Sequence, residues 1–277
     1  MFFLIFLLGG FGGCVQLPMT RVFEKSETFE KNGSKLEAGV LIIDARPPND
    51  YLFSHLRGSL SMPWQDFTQR KDPFQGLLDL DLDYHARRLA RLGIGLDTPV
   101  LVVGNGLKGQ GEEGRVAWTL KVLGLRQVSI RSISQFSVPF SNQESPKPNA
   151  LPPWPLEVQR DWMIDKKEFL EKLKPPRRAV VVDVRPEAEF LGRIPPRMTH
   201  APRDVGAINI PWTDFITESG EPDFSLITKL EQIGLSRDRE ILLIDDQGVR
   251  SGLASFVLRT LGFQQARNFA GGYRQLQ

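Results

Sequence analysis

Four short apolar runs punctuate the chain: Leu41–Asp44, Val100–Val103, Val180–Asp183 and Ile241–Ile244. They are rich in β-branched residues and bounded by Pro, Gly or Asp. Their residues are apolar at successive positions rather than alternate ones, which predicts strands covered on both faces. Between the runs, "HARRLARLGIG", "KKEFLEKL" and "SLITKLEQIGL" return their apolar residues every three or four positions, the period of a helix with one buried side. Strands alternating with helices predict an α/β fold, a mostly parallel sheet flanked by helices. In such sheets the functional crevice lies beyond the carboxyl ends of the strands.

The pattern occurs twice. "VLIIDARPPNDY" (Val40–Tyr51) returns as "AVVVDVRPEAEF" (Ala179–Phe190), and "GSLSMPWQDF" (Gly58–Phe67) as "GAINIPWTDF" (Gly206–Phe215). "PVLVVGNG" with "TLKVLGLRQVSI" returns as "EILLIDDQG" with "FVLRTLGFQQARNF". Matching blocks in the same order indicate a duplication. Between the copies, "SVPFSNQESPKPNALPPWPLEV" (Ser137–Val158) is too rich in proline to extend a helix or a central strand, and reads as a linker. The expected units are therefore residues 39–136 and 159–277, joined by 137–158.

Composition narrows the function classes. The chain has 277 residues, 41% of them hydrophobic, enough for two domains with a good core. Its 35 basic and 33 acidic residues give a net charge of +2 without a basic run, which argues against a dedicated nucleic-acid binder. The single cysteine, Cys14, excludes an internal disulfide and a cysteine-rich zinc site. The three histidines, His55, His85 and His200, are scattered, so no metal site is expected, and nothing in the sequence calls for a cofactor.

Cys14 follows the apolar run Phe2–Leu8, which is too short to span a bilayer, and a group of small glycines. "MFFLIFLLGGFGGC" resembles the signal of a bacterial lipoprotein, in which the cysteine becomes the lipidated first residue. Phe11 stands where that pattern usually has Leu, and the leader lacks a positive charge. The resemblance implies a leader over residues 1–14, a tether over 15–38, and a protein anchored in the bacterial cell envelope facing the periplasm. Val15 after the cysteine, rather than Asp, favours the outer membrane.

Candidate chemistry lies in "ILLIDDQGVRSGLASFVLRTLGF", Ile241–Phe263, which reads as strand, tight turn and helix. The turn's N–H groups and the positive end of the helix face one spot, which suits an anion or an activated nucleophile. That turn holds Asp245, Asp246, Gln247, Gly248, Val249 and Arg250. With "VVVDVRPEAEF", "GAINIPW" and "NFAGGY", it resembles a rhodanese domain. The tandem arrangement resembles the two-domain thiosulfate and mercaptopyruvate sulfurtransferases, over a span from Val40 to the C-terminus.

The resemblance implies a loop of pattern Cys-x-x-Gly-x-Arg/Thr, whose thiolate carries sulfur as a persulfide. With Gly248 as the glycine and Arg250 as the last residue, the cysteine position falls on Asp245. The loop of the first copy, "GNGLKGQGEEGR", has no cysteine either. Of the family's His-x-Pro-Gly-Ala motif, "SHLRGSL" keeps His55 without the proline, and "RDVGAI" has Arg203 in place of the histidine. His200 is expected in an exposed loop and His85 on a helix surface.

A carboxylate has no sulfur to carry, yet it suits a ring of N–H donors, as a helix N-cap does. Asp245 is therefore expected to keep the loop folded while filling its anion site, and no catalytic residue is expected. Arg185 matches a family position that holds an anionic donor. It is expected instead in a structural salt bridge, with Asp245, Glu187 or Glu189 as candidate partners. Asp44 and Asp183 are expected to hold the turns after their strands, and Trp64 and Trp212 to pack in the core or interface. The main functional expectation is a non-catalytic binding or scaffold module, membrane-anchored through lipidated Cys14, with an unidentified protein partner. The alternatives are a thiosulfate or 3-mercaptopyruvate sulfurtransferase and a binder of small sulfur oxyanions.

Overall fold

The computed structural model describes residues 29–30, 39–70, 75–138, 140–143, 145, 148–155, 157–194 and 202–277. Cys14 and His200 lie outside the described residues, as does the tether except for 29–30. The first half runs β1 (Leu41–Asp44), α1 (Pro48–Phe53), β2 (Leu60–Ser61), α2 (Leu82–Arg91), β3 (Val100–Gly104), α3 (Glu112–Val122) and β4 (Val128–Ser132). The second half runs α4 (Lys166–Lys172), β5 (Val180–Asp183), α5 (Glu187–Phe190), β6 (Ile208–Asn209), α6 (Leu226–Gln232), β7 (Ile241–Ile244), α7 (Val249–Thr260), β8 (Ala266–Asn268) and α8 (Gly272–Gln275). Each half has a four-stranded parallel sheet, in the orders β2-β1-β3-β4 and β6-β5-β7-β8. The shared order is the duplication made visible, and both the α/β class and the parallel sheets are as expected.

Strand geometry sends successive side chains to opposite faces, and this builds the core. Ile43, Val100 and Val102 of the first sheet join Val182, Ile241 and Leu243 of the second in one apolar core that crosses both halves. The alternate residues Leu101 and Val103, and Leu242 and Ile244, face separate outer cores. The middle of the shared core is the packing of α3 on α7. It is close enough that a Cβ on Gly114 would lie 2.4 Å from the Cβ of Leu253. Trp212 is buried in this core, Trp64 is half-buried against it, and Trp118 donates its indole N–H to the carbonyl of Trp162 at 3.0 Å. The start of the proline-rich segment forms short antiparallel ladders, Phe136–Val138 with Phe29–Glu30 and Phe140–Ser141 with His55–Leu56. Among the described residues no helix is long and apolar enough to cross a membrane.

His85 corrects the sequence reading. It is fully buried, donates from Nε2 to the Asp79 carbonyl at 2.8 Å and stacks on Phe67, and burial lowers its pKa. The reason is its place on α2, in the same stripe as Ala86, Leu89 and Ala90.

Arg115 of α3 is also fully buried. Its Nη1 donates to the Gly248 carbonyl at 2.6 Å and its Nη2 to the Gly76 carbonyl at 2.5 Å. The guanidinium lies over Trp118 and Trp64, 4.6 and 5.8 Å from the ring centroids. Burial lowers its pKa to about 10, so it stays cationic at neutral pH. Replacing Arg115 by Met leaves two buried carbonyls without their charged donor. The expected loss is about 3 kcal/mol in urea denaturation, together with faster amide exchange at Gln247–Arg250.

Candidate functional site

The second sheet delivers Asp245 directly after β7, and α7 begins four residues later. The turn between them depends on Gly248, at φ 81°, where a Cβ would lie 2.1 Å from the Ala270 carbonyl oxygen. Asp245 points inward and is 1% exposed. Its Oδ1 accepts the Gly248 N–H, and its Oδ2 accepts the Arg250 N–H at 3.0 Å. Ser251 Oγ lies 2.9 Å from Asp245 Oδ1 and 2.7 Å from Asn268 Oδ1, so one hydroxyl proton serves two acceptors. Asn268 Nδ2 in turn donates to the Gly248 carbonyl at 3.2 Å. The loop therefore closes around its own carboxylate.

Asp246 meets the same guanidinium as Asp245, that of Arg250, whose Nε lies 3.5 Å from Asp245 Oδ2. The Arg250 guanidinium forks onto Glu189 of α5 at 3.0 and 3.1 Å, and its Nη2 also donates to Asp246 Oδ2 at 2.9 Å. Val249 is buried, and Gln247 is half-buried with its carbonyl oxygen 2.1 Å from where a Cβ on Gly76 would stand. Arg185 forms the expected structural salt bridge, but with Asp183 rather than with Asp245, Glu187 or Glu189. Its Nε and Nη2 donate to Asp183 Oδ2 at 3.0 and 2.6 Å, and its guanidinium lies over Tyr273, whose hydroxyl also donates to Asp183 at 3.0 Å. Asp183 accepts the Arg185 backbone N–H at 2.9 Å as well, the turn-holding role expected of it, and Asp44 does the same for Arg46 at 3.1 Å.

Four buried carboxylates, Asp183, Glu189, Asp245 and Asp246, thus surround two guanidiniums, Arg185 and Arg250, with Arg115 behind the loop. The surplus of negative charge falls on Asp246. Burial and the neighbouring Asp245 push its carboxyl up to about 6, although Arg250 and Arg185 oppose the shift. The same carboxylates hold the Arg250 guanidinium protonated more firmly than usual. An oxyanion approaching this loop meets N–H groups and a guanidinium that are already engaged.

Sequence reasoning did not find Ser251, Asn268 or Arg115. The repeat held a signal for the last: counting from the helix-starting glycines, Gly111 and Gly248, Arg115 falls opposite Gly252. A Cβ on Gly252 would lie 2.9 Å from Arg115 Cδ, so the glycine is the room the arginine needs.

Because the folded pKa of Asp246 lies above that of an unfolded aspartate, its contribution to stability is whole below about pH 4 and is lost as pH rises through about 6. In Asp246→Asn the fall in unfolding free energy between pH 4 and 6.5 is expected to shrink, by up to about 3 kcal/mol. Urea denaturation at a series of pH values measures it, and an unchanged slope would contradict the assignment.

Residues 28–132 and 165–277 each match the rhodanese-like domain family. The thiosulfate sulfurtransferase of Gallus gallus is 26% identical over 201 residues, covering 67% of this chain and 68% of that protein. The 3-mercaptopyruvate sulfurtransferase of Homo sapiens is 29% identical over 178 residues, covering 60% and 57%. The crystal structure of a 3-mercaptopyruvate sulfotransferase from Escherichia coli superposes with a TM-score of 0.68 at 19% identity, covering 85% of this chain and 93% of that one. Two copies of one sheet order, matched twice by one family along the chain, make this protein a tandem member of the rhodanese-like family.

Proposed function

We propose that this protein is a binding or scaffold module that does not itself transfer sulfur, with Asp245 standing where sulfur-transferring relatives carry their cysteine. The observation that carries the reading is the enclosure of Asp245. Two loop N–H groups and the Ser251 hydroxyl converge on its carboxylate, so the site built for an anion is filled by the chain itself. Arg250, the nearest cation, is engaged by Glu189, Asp246 and Asp245 itself. A carboxylate has no sulfur atom to form a persulfide, and the one thiol of the chain is Cys14, outside both domains. In this proposal Cys14 is lipidated and holds the module in the bacterial cell envelope, facing the periplasm, where it engages a protein partner.

The second reading is sulfur transfer from thiosulfate or 3-mercaptopyruvate to a thiophilic acceptor, the activities named for the relatives above. It requires a sulfur carrier other than a thiol in the loop. Fold similarity carries no activity by itself.

The test is sulfur transfer from thiosulfate and from mercaptopyruvate to cyanide by the whole chain and by Asp245→Cys, with melting curves to confirm that both fold. The expected outcome is no turnover above a heat-treated control for the natural chain, and measurable turnover on installing the thiol. Turnover by the natural chain refutes the proposal. Incorporation of labelled fatty acid that is lost in Cys14→Ser is the expected outcome for the anchor, and its absence removes that part.

A further inference from the structure

The first half carries a counterpart of the Asp245 loop to which the proposal above gives no role. Val103 pairs with Asp44 in the first sheet as Ile244 pairs with Asp183 in the second, so Gly104 is the counterpart of Asp245. Gly111, at φ 81°, starts α3 as Gly248 starts α7, which makes Glu113 the counterpart of Arg250. The connection is longer here, Gly104–Gly111, and glycine-rich.

Glu113 turns back from the helix into this loop. A Cβ on Gly104 would lie 2.2 Å from Glu113 Oε2 and 2.7 Å from its Cδ, so the glutamate fills the space that a side chain at Gly104 would need. The residue is fully buried. Its Oε1 accepts the Gly106 N–H at 3.1 Å, whereas Oε2 has no hydrogen-bond partner among the described residues.

The charged groups on the surrounding elements do not neutralise it. Glu112, in the same turn, pushes in the same direction as burial, and its carboxylate takes the Gln110 N–H. Arg131 of β4 pairs with Glu221, Arg250 of α7 is held by Glu189 and Asp246, and Arg46 after β1 is held by Asp44. Lys108 of the loop is exposed.

We infer that Glu113 is a proton-operated latch: its neutral carboxyl group plugs the loop of the first half and keeps Gly104–Gly111 closed, and loss of the proton to solvent releases it. The N–H groups of Glu113 itself and of Gly106 favour the charged form, but burial outweighs them, because a buried carboxylate with one bare oxygen is strongly disfavoured. Water is the remaining partner, and the glycine-rich connection is the part of the backbone able to yield. Burial pushes the carboxyl up to about 8, so the proton's hold on the loop weakens as pH rises above the ordinary glutamate range and is spent by about 8.

The experiment is amide hydrogen exchange on the whole chain from pH 6.5 to 9.5, corrected for the intrinsic exchange rate. Protection of residues 104–112 is expected to fall about tenfold for each pH unit as pH rises toward 8, and to level off above it. The same residues in Glu113→Gln should hold their protection, as should the Asp245–Arg250 loop in both proteins. An equal fall in the parent and Glu113→Gln, or no fall in the parent, overturns the latch. Should Glu113→Gln fail to fold, the carbon-13 signal of the Glu113 carboxyl in the natural chain decides. A midpoint near 8 supports the latch, and a group already ionised at pH 5 overturns it.

Discussion

A buried guanidinium with no hydrogen-bonded carboxylate, Arg115, joins the two halves of this protein. Its charge is met by two carbonyl oxygens, Gly248 and Gly76, and by the faces of two tryptophans. Its Nε has no hydrogen-bond partner among the described residues, so the cation needs those carbonyls and ring faces held close to it. The need fixes the position of α3 against α7, and with it the turn at Gly248. The shape of the Asp245 loop therefore depends on a residue contributed by the other half of the chain. Asp245 returns the interaction, since its charge favours the protonated state of Arg115.

The loop itself illustrates how a folded anion cradle behaves when its occupant is covalently attached. Backbone N–H groups at a helix start need an acceptor whether or not a ligand is present. Asp245 supplies that acceptor, with geometry a free ion would have to match against solvent competition. Glu189 and Asp246 then take up Arg250, which leaves the site with more carboxylates than cations. The strain of that surplus appears as the raised pKa of Asp246 rather than as an open pocket.

Much of this could be read from the sequence, because strand burial and turn chemistry are local properties. The continuous apolar runs at Val180–Asp183 and Ile241–Ile244 announced strands with two covered faces, and those faces turned out to be different cores. The helix-starting glycine at 248 was legible for the same reason. His85 was not, because the buried stripe of Ala86, Leu89 and Ala90 was legible but a polar histidine beside it can face either way. Arg185's partner also escaped, since a bidentate contact between residues two apart competes with several nearby acids that look equally suited in one dimension. Ser251 and Asn268 meet Asp245 only once β8 lies beside β7, a long-range pairing that no local pattern encodes.

The exchange between Arg115 and Gly252 bears on how the two copies came to be unlike. At corresponding positions of α3 and α7, one copy carries a long cation and the other carries no side chain at all. A symmetric pair of identical subunits cannot make this fit: it would set arginine against arginine, two buried charges in one place, or glycine against glycine, a void. Divergence of the two copies removes the obligation to be self-complementary. The lock between α3 and α7 is thus a fit that two diverged halves can make and two identical ones cannot.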